Sequence, residues 1–211
     1  MLENVYGEKG VPEPIRFWLL RLRRHHYESF ANAVMGTELA SQFINTVYPG
    51  YDQKELWLNS FLLKDIGKLW IHSEMLDKSK MDPGSFWEYG QHHPEYSIRF
   101  MEHFNFSHLI NREAVLYHHE YLDGKGYPAG VNWTAIGFEA RLITVIDSFI
   151  NKIGNHLDEH SFNIAIEELY MFSNLLYDEE LVLQFTDYLY AVKKQLFQSL
   201  LVGNKGKCLN P

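Results

Sequence analysis

Residues 118–128 of this 211-residue chain read HHEYLDGKGYP, a stretch that bears on both its fold and its chemistry. The glycines and prolines that follow the two histidines make residues 120–135 a loop. Neutral imidazole is a common ligand for transition metals. Adjacent side chains on a helix diverge, so His118 and His119 can reach one ion only where a helix turns into a loop. Alone, such a pair is more often a surface feature, and its meaning depends on the rest of the chain.

On both sides of this loop, apolar residues recur at helical spacing and strand-like alternation is scarce. Helices are predicted at 14–47, 52–65, 95–104, 111–119, 137–153, 162–176 and 179–201, with a further start at Asp82 and Pro83. Pro14 suits the first turn of a helix, and Asp52 with Glu55 resembles a capping box. We predict an all-α fold, a single bundle of about seven to eight helices. The bundle spans residues 13–201, between an N-terminal extension (1–12) and a flexible tail (202–211).

The bulk composition excludes several classes of partner. The formal net charge is −8, which disfavours nucleic acids and anionic membranes because both require a basic face. Residues 1–10 lack the apolar core of a signal peptide, and no apolar run is long enough to insert into a membrane. Cys208 is the only cysteine, so no internal disulfide can form. We expect a cytoplasmic protein.

Two carboxylates lie on apolar helix faces. Leu58, Leu62 and Asp65 follow i, i+4, i+7 spacing, and Asp147 lies between Ile143 and Ile150 in the same way. Burying a bare carboxylate is costly unless it is paired, protonated or bound to a cation. Either aspartate alone could be a helix cap or part of a buried salt bridge. Together with His118 and His119, they favour a shared metal.

Five segments carry a resemblance to a known family. FLLKDIGK at 61–68 is similar to the LLHDIGK helix end of HD-family phosphohydrolases, and residues 118–128 match the HHE-x-x-DGxGYP signature of the HD-GYP subfamily. RHHYESFANAV (24–34), HHPEYSIRFME (92–102) and RLITVIDSF (141–149) resemble the remaining metal-binding segments of that family. The resemblance covers about residues 21–153. It implies a helical domain that binds two or three divalent transition metals, often iron or manganese, and cleaves cyclic di-GMP.

The resemblance also implies a set of site residues. The implied metal ligands are His26 (or His25, in a less favoured register), Asp65, His93, His118, His119 and Asp147. Asp65 would bridge two metals, and Lys68 would meet the phosphate or the attacking hydroxide. The implied substrate or partner loop comprises Glu120, Asp123, Gly124, Gly126, Tyr127 and Pro128. Glu120 and Asp123 would shape this loop rather than bind metal. In the family, the loop is a docking surface for diguanylate cyclase-type (GGDEF) domains.

The main departure from the family is Lys64, which replaces the histidine of the HD pair. A protonated lysine has no lone pair and cannot bind a metal. We hypothesise that its ammonium lies between Asp65 and Asp147 as a built-in cation, leaving one metal rather than two. The alternative is that Lys64 points to solvent, although Trp57, Phe61 and Lys64 share one helical face.

A second departure follows Asp147. Ile150 replaces a family aspartate, and Lys152 is the one fixed cation in the run NKIGNHLDEHSF at 151–162, where the family has a basic stretch. Both departures favour an HD-GYP-type metal-binding domain with weakened or lost hydrolysis, Lys64 being counted with Asp65 and Lys68 in the catalytic group. The alternative is an active phosphodiesterase for cyclic di-GMP, or for a related cyclic dinucleotide, that uses a reduced metal centre of one or two ions.

Overall fold

A computed structural model describes residues 2–7, 10–76, 90–154 and 158–205. Its α-helices are α1 (Glu3–Tyr6), α2 (Glu13–His25), α3 (Tyr27–Val47), α4 (Lys54–Leu63), α5 (His93–His103), α6 (Arg112–Leu116), α7 (Phe138–Ile153), α8 (Glu159–Met171) and α9 (Glu179–Lys205). Short 3₁₀ segments lie at Ile66–Trp70, Ser73–Leu76, Gly90–His92, Ser107–Leu109 and Trp133–Ala135. No strand occurs in these ranges, so the all-α prediction is confirmed. The helix start expected at Asp82 and Pro83 lies outside the described residues.

The bounds predicted for the helices at 14–47 and 52–65 are wrong. The continuous helix expected over 14–47 breaks at His26, whose backbone is extended (φ −147°, ψ 94°). The break occurs because the His26 side chain accepts a hydrogen bond from the Ser29 backbone N–H and thereby caps α3. The capping box expected at Asp52 does not form, because α4 starts at Lys54 without a side-chain cap. This helix ends before Asp65.

The core forms two clusters that share α3 and α4. One cluster joins these helices to α7, α8 and α9 through residues such as Phe43, Trp57 and Phe149. The other joins them to α2 and α5 through residues such as Leu22 and Phe100. The C-terminal end of α4, where Lys64 and Asp65 follow, therefore lies in the interior between the two halves of the bundle.

Two glycines allow the close approaches that place the site. A Cβ at Gly36 would lie 2.3 Å from the Phe61 ring, so glycine lets α3 cross close to α4. A Cβ at Gly67 would lie 2.2 Å from the Ser97 backbone nitrogen. The 3₁₀ segment Ile66–Trp70 can therefore lie directly on α5, and the Gly67 N–H donates to the Ser97 side chain at 2.9 Å. This contact brings Asp65 to the start of α5, where His93 lies.

The periphery adds two observations. The Tyr6 hydroxyl donates to the Asn59 side chain at 2.7 Å, so α1 packs on the bundle. Of the helices in the described part of the chain, none has the length and apolar character needed to cross a bilayer.

Candidate metal centre

Three histidines converge in the interior. His93 opens α5, while His118 and His119 lie in the turn that follows α6. Helix α6 ends at Leu116 rather than continuing through residue 119 as the sequence suggested, and the turn lets adjacent imidazoles approach one point. The ligand atoms of the three residues all lie within 4.8 Å of one another. The structure thus brings together three of the four histidines in the ligand set that the resemblance implies.

The hydrogen bonds of His93 and His118 fix the form of each ring. The His93 Nδ1 lies 2.6 Å from the Gly90 carbonyl, and the His118 Nδ1 lies 2.7 Å from the Val115 carbonyl. A carbonyl oxygen only accepts, so each Nδ1 carries a proton. Burial, the main cause, lowers the pKa of both rings, assisted by Lys68 at His93 and by Lys64 at His118. Both rings are therefore neutral near pH 7, and each Nε2 presents a bare lone pair.

These lone pairs face one another. The two Nε2 atoms are 3.3 Å apart, and the His93 Nε2 is 3.1 Å from the Asp65 Oδ1. That oxygen is buried and has no hydrogen bond of correct geometry, although the Lys68 Nζ lies 2.6 Å from it. Three unprotonated acceptors in contact repel one another unless a cation lies among them. The donor set of two nitrogens and a carboxylate oxygen, with both Nδ1 atoms held by carbonyls, fits a divalent metal.

His119 completes the group from the loop side. Its ring stacks on Tyr127, with centroids 4.6 Å apart and planes 27° from parallel. Burial and the neighbouring imidazoles of His118 and His93 keep its pKa well below the usual value. A neutral imidazole held against an aromatic face keeps its orientation, which a metal ligand requires.

Lys64 lies beside this group and is 1% exposed. Its ammonium pairs with the Asp65 carboxylate and lies 2.9 Å from the Asp147 Oδ1. Burial would lower the Lys64 pKa, but the carboxylates of Asp147 and Asp65 outweigh burial and raise it. Burial likewise opposes ionisation of Asp65, yet Lys64 and Lys68 hold its pKa well below the usual range. The alternative in which Lys64 points to solvent is excluded.

A ring of polar contacts continues from this pair. Asn151 donates to the Asp147 carboxylate at 2.8 Å and accepts from Asn32 at 2.8 Å. On the other side, the Lys68 ammonium donates to the Ser29 hydroxyl at 3.1 Å. The ring starts and ends on α3 and runs through Ser29, Lys68, Asp65, Lys64, Asp147, Asn151 and Asn32. It contains Asp65 and Asp147, two of the metal ligands that the resemblance implies, and two lysines there balance these two aspartates.

The structure does not group His26 with the other histidines. Its Nδ1 contacts the Ser29 hydroxyl at 2.9 Å, and burial followed by the charge of Lys68 lowers its pKa. The alternative residue, His25, contacts the Ile71 carbonyl through Nε2 at 2.8 Å. The sequence analysis missed Ser29, Asn32 and Asn151. The available signal was that Ser29 and Asn32 are polar residues on a mostly apolar helix face.

The loop 120–135 is held from within. The Glu120 carboxylate accepts hydrogen bonds from three consecutive backbone N–H groups, those of Ala129, Gly130 and Val131, at 2.6, 3.0 and 3.1 Å. A Cβ at Gly126 would lie 2.4 Å from the His119 carbonyl oxygen, so only glycine fits there. Asp123 accepts from the Lys125 N–H at 3.0 Å, Gly124 has a positive φ of 74°, and the bond from Tyr127 to Pro128 is cis. These contacts fix Tyr127 against His119.

A family model described as HD domain matches residues 32–181. Among solved structures, the HD domain of the phosphodiesterase PgpH from L. monocytogenes superimposes with a TM-score of 0.65 at 13% identity. That match covers 85% of this chain and 98% of the other. At this identity, the likeness concerns the fold.

Curated relatives match a shorter region. A 3'3'-cGAMP-specific phosphodiesterase 3 of Vibrio cholerae is 39% identical over 100 residues, which is 46% of this chain and 21% of that protein. A cyclic di-GMP phosphodiesterase of Thermotoga maritima is 29% identical over 123 residues, or 57% of this chain and 33% of that protein. The chain thus spans between a fifth and a third of the length of these relatives.

Proposed function

We propose that this chain, which belongs to the HD domain family, is a single-metal member of the cyclic dinucleotide phosphodiesterase type whose hydrolysis is weakened or lost. The observation that carries the proposal is the Lys64 ammonium between Asp65 and Asp147. HD domains bind divalent metals, and a group of three histidines is present here. The proposed ligand is cyclic di-GMP or a related cyclic dinucleotide.

The metal would be held by His93, His118, His119 and Asp65. Imidazole nitrogens with one carboxylate suit iron or manganese among the divalent ions. Such an ion supplies Lewis acidity toward a phosphodiester oxygen and a lowered pKa for water. The chain supplies the rest: Glu120 fixes the loop, Tyr127 orients His119, and backbone carbonyls hold the protons of the other two rings away from the site.

The charge of the site supports binding of a phosphodiester. Lys64 and Lys68 together neutralise Asp65 and Asp147, so any divalent ion leaves an excess of positive charge. Lys68 is 19% exposed through its side chain, compared with 2% for Lys64. Lys68 is therefore the cation placed to contact an incoming phosphate. Lys64 is enclosed and acts on the two aspartates.

Hydrolysis is expected to suffer because a lysine replaces a metal ligand. In two-metal sites the ions hold both the attacking and the leaving oxygen. An ammonium balances charge but offers no open coordination position. Asp147 already faces the Lys64 ammonium through Oδ1 and accepts from Asn151 through Oδ2, although Oδ1, like the Asp65 Oδ1, makes no hydrogen bond of correct geometry. Binding of the ligand would persist while turnover falls.

An active enzyme with a reduced centre is the second candidate. It is favoured by the intact group of His93, His118, His119 and Asp65. It predicts turnover without any change to Lys64.

The loop 120–135 is the proposed docking surface for a diguanylate cyclase-type (GGDEF) domain. The Trp133 side chain there is 53% exposed and Lys125 is also exposed, so both could contact a partner. Weaker binding of a purified GGDEF domain by Trp133→Ala, measured calorimetrically, would support this role. Unchanged binding, or no binding by the wild type, would exclude it.

Turnover of cyclic di-GMP and 3'3'-cGAMP by the manganese-loaded or iron-loaded chain tests the two candidates. The wild type is expected to bind the dinucleotide and to hydrolyse it slowly or not at all. Lys64→His is expected to raise the rate, and Lys194→His, an exposed site on α9, is the matched control. Brisk turnover by the wild type would replace the first candidate with the second. Failure to bind any cyclic dinucleotide would exclude both.

A further inference from the structure

A cavity of about 250 Å³ lies beside the metal centre, between α7, α8 and the turn after α6. Its lining includes His118, His119 and Asp147 of the candidate site and the more exposed Lys152 of α7 and Glu168 of α8. Small-molecule sites usually measure about 300–1,000 Å³. The cavity is therefore too small for a whole cyclic dinucleotide and suits one base with part of its ribose.

Most polar groups of the cavity wall are already engaged. The Thr144 hydroxyl donates to the His118 carbonyl at 2.9 Å, and Asn151 is bound on both sides by Asp147 and Asn32. Lys152 and Glu168 are also paired, but with each other, and they are more accessible to a ligand because their side chains are 39% and 32% exposed. They place a cationic donor next to an anionic acceptor at the edge of the cavity.

We propose that Glu168 and Lys152 recognise the base edge of a guanine nucleotide. Guanine presents two adjacent donors, N1–H and the N2 amino group, next to the O6 acceptor. The Glu168 carboxylate can accept from both donors, and the Lys152 ammonium can donate to O6. Entry of the base exchanges the ion pair for charge-assisted hydrogen bonds to the ligand. The assignment rests on the proposed function, because it places the base beside a phosphate-binding metal centre.

Two aromatic rings support a planar ligand in this cavity. Tyr121 and Tyr177 line it, with ring centroids 6.2 Å apart in an edge-to-face arrangement. Nucleobases stack on aromatic side chains in many nucleotide sites. Because the two ring planes are 75° apart, one tyrosine can stack on the face of a base while the other contacts its edge.

The same pair discriminates against adenine. The Watson–Crick edge of adenine has one donor group, the N6 amino group, and N1 is an acceptor. Glu168 would therefore lose one of its two hydrogen bonds. A hydrogen bond to a charged group is typically worth enough to change affinity about tenfold or more, and tenfold is about 1.4 kcal/mol. We expect the cavity to prefer guanine nucleotides by about tenfold.

Calorimetric titration of the full chain with GMP and AMP tests the base site directly. The wild type should bind GMP about tenfold more tightly than AMP. Glu168→Gln should abolish this preference, and Lys152→Gln should weaken GMP while leaving AMP less affected. Glu167→Gln removes the same charge from an exposed neighbouring position on α8 and should change nothing. Equal affinity for GMP and AMP, or a preference that survives Glu168→Gln, would overturn the assignment.

Titration with cyclic di-GMP, 3'3'-cGAMP and cyclic di-AMP separates this inference from the proposed function. Equal binding of all three would exclude the guanine site and leave the proposed function standing. A GMP preference without binding of any cyclic dinucleotide would support the guanine site and exclude the proposed function. If no nucleotide binds, neither stands.

Discussion

The Nε2 atoms of His93 and His118 face each other at 3.3 Å, while the Nδ1 atom of each ring is held by a backbone carbonyl. This arrangement leaves two lone pairs in contact with no proton between them. Hydrogen bonds from Nδ1 to carbonyl groups are the usual way in which proteins orient metal-binding histidines. Because both ring protons are on Nδ1, the two Nε2 lone pairs are available to bind a cation between them.

Removing one of these imidazoles should remove the metal. His118→Gln is expected to lower manganese or iron affinity by at least about tenfold, because loss of groups that only support such ligands already costs about 10–100-fold. Binding is measured by titration of the chelator-treated protein. His72→Gln, at an exposed position, is the control and should bind as the wild type does. Wild-type affinity in His118→Gln would place the metal elsewhere.

The same histidines give the metal-free protein a defined pH dependence. Burial lowers the pKa of His93, His118 and His119 below the unfolded value of about 6.5. The unfolded chain therefore binds protons first as the pH falls. Unfolding free energy should be unaffected by these groups above pH 6.5 and should decrease as the pH drops below it. Urea unfolding between pH 7.5 and 5 measures this slope.

A variant identifies the groups responsible for that slope. His118→Gln should make the pH dependence of the unfolding free energy less steep, because it removes one of the buried imidazoles. His72→Gln removes an exposed imidazole and should leave the contribution of the buried histidines unchanged. A decrease that starts only near pH 4 would instead point to the carboxylates. Asp65, whose pKa is lowered, contributes stability that is lost in that lower range.

The sequence was sufficient to predict the helical class, the loop at 120–135 and the meeting of His93, His118 and His119. These features follow from patterns in the sequence itself. The apolar periodicity indicates helices, the glycines and prolines indicate the loop, and the long HD-GYP signature indicates the histidine group. The approach of Asp65 to Asp147 could also be predicted from the sequence, because each carboxylate ends or interrupts an apolar helix face. Lys64 was placed between them because it replaces the histidine of the HD pair in the resemblance and because its ammonium balances the two carboxylates.

Other features depend on tertiary contacts that one sequence does not display. Asn32 and Asn151 meet across 119 positions of the chain, and the polar character of Asn32 on a mostly apolar helix face does not reveal which residue it contacts. The break at His26 arises from a cap by a histidine, a residue outside the common capping set. Glu168 and Tyr177, which line the cavity, lie in the C-terminal part of the chain, where no motif was available.

Removal of the Lys64 ammonium should destabilise the fold. Lys64→Ala leaves two buried carboxylates without their shared partner, a change that typically costs about 3–5 kcal/mol. Lys68→Ala removes a more exposed charge and should cost less. Urea midpoints of the metal-free proteins give the comparison. Added manganese should partly restore Lys64→Ala, because the two aspartates can then bind an ion. Equal stability of Lys64→Ala and wild type would show that the contacts of Lys64 with Asp65 and Asp147 do not stabilise the fold.

The carboxylate of Glu120 should control the loop. Glu120→Ala leaves three backbone N–H groups without their acceptor and is expected to cost about 2–3 kcal/mol, since hydrogen bonds to charged groups contribute about 1.5–3 kcal/mol each and water replaces part of the loss. Limited proteolysis within 120–135 measures the loosening. Asp123→Ala removes an acceptor for one N–H group and is the milder comparison. Equal cleavage of Glu120→Ala and wild type would contradict this role.

The number of tightly bound metal ions per chain, measured by mass spectrometry after loading and desalting, tests the central claim most directly. The account predicts one ion in the wild type, because Lys64 already occupies the space between Asp65 and Asp147. It predicts two in Lys64→His, where the imidazole restores a ligand between those carboxylates. Two tightly held ions in the wild type would contradict the account.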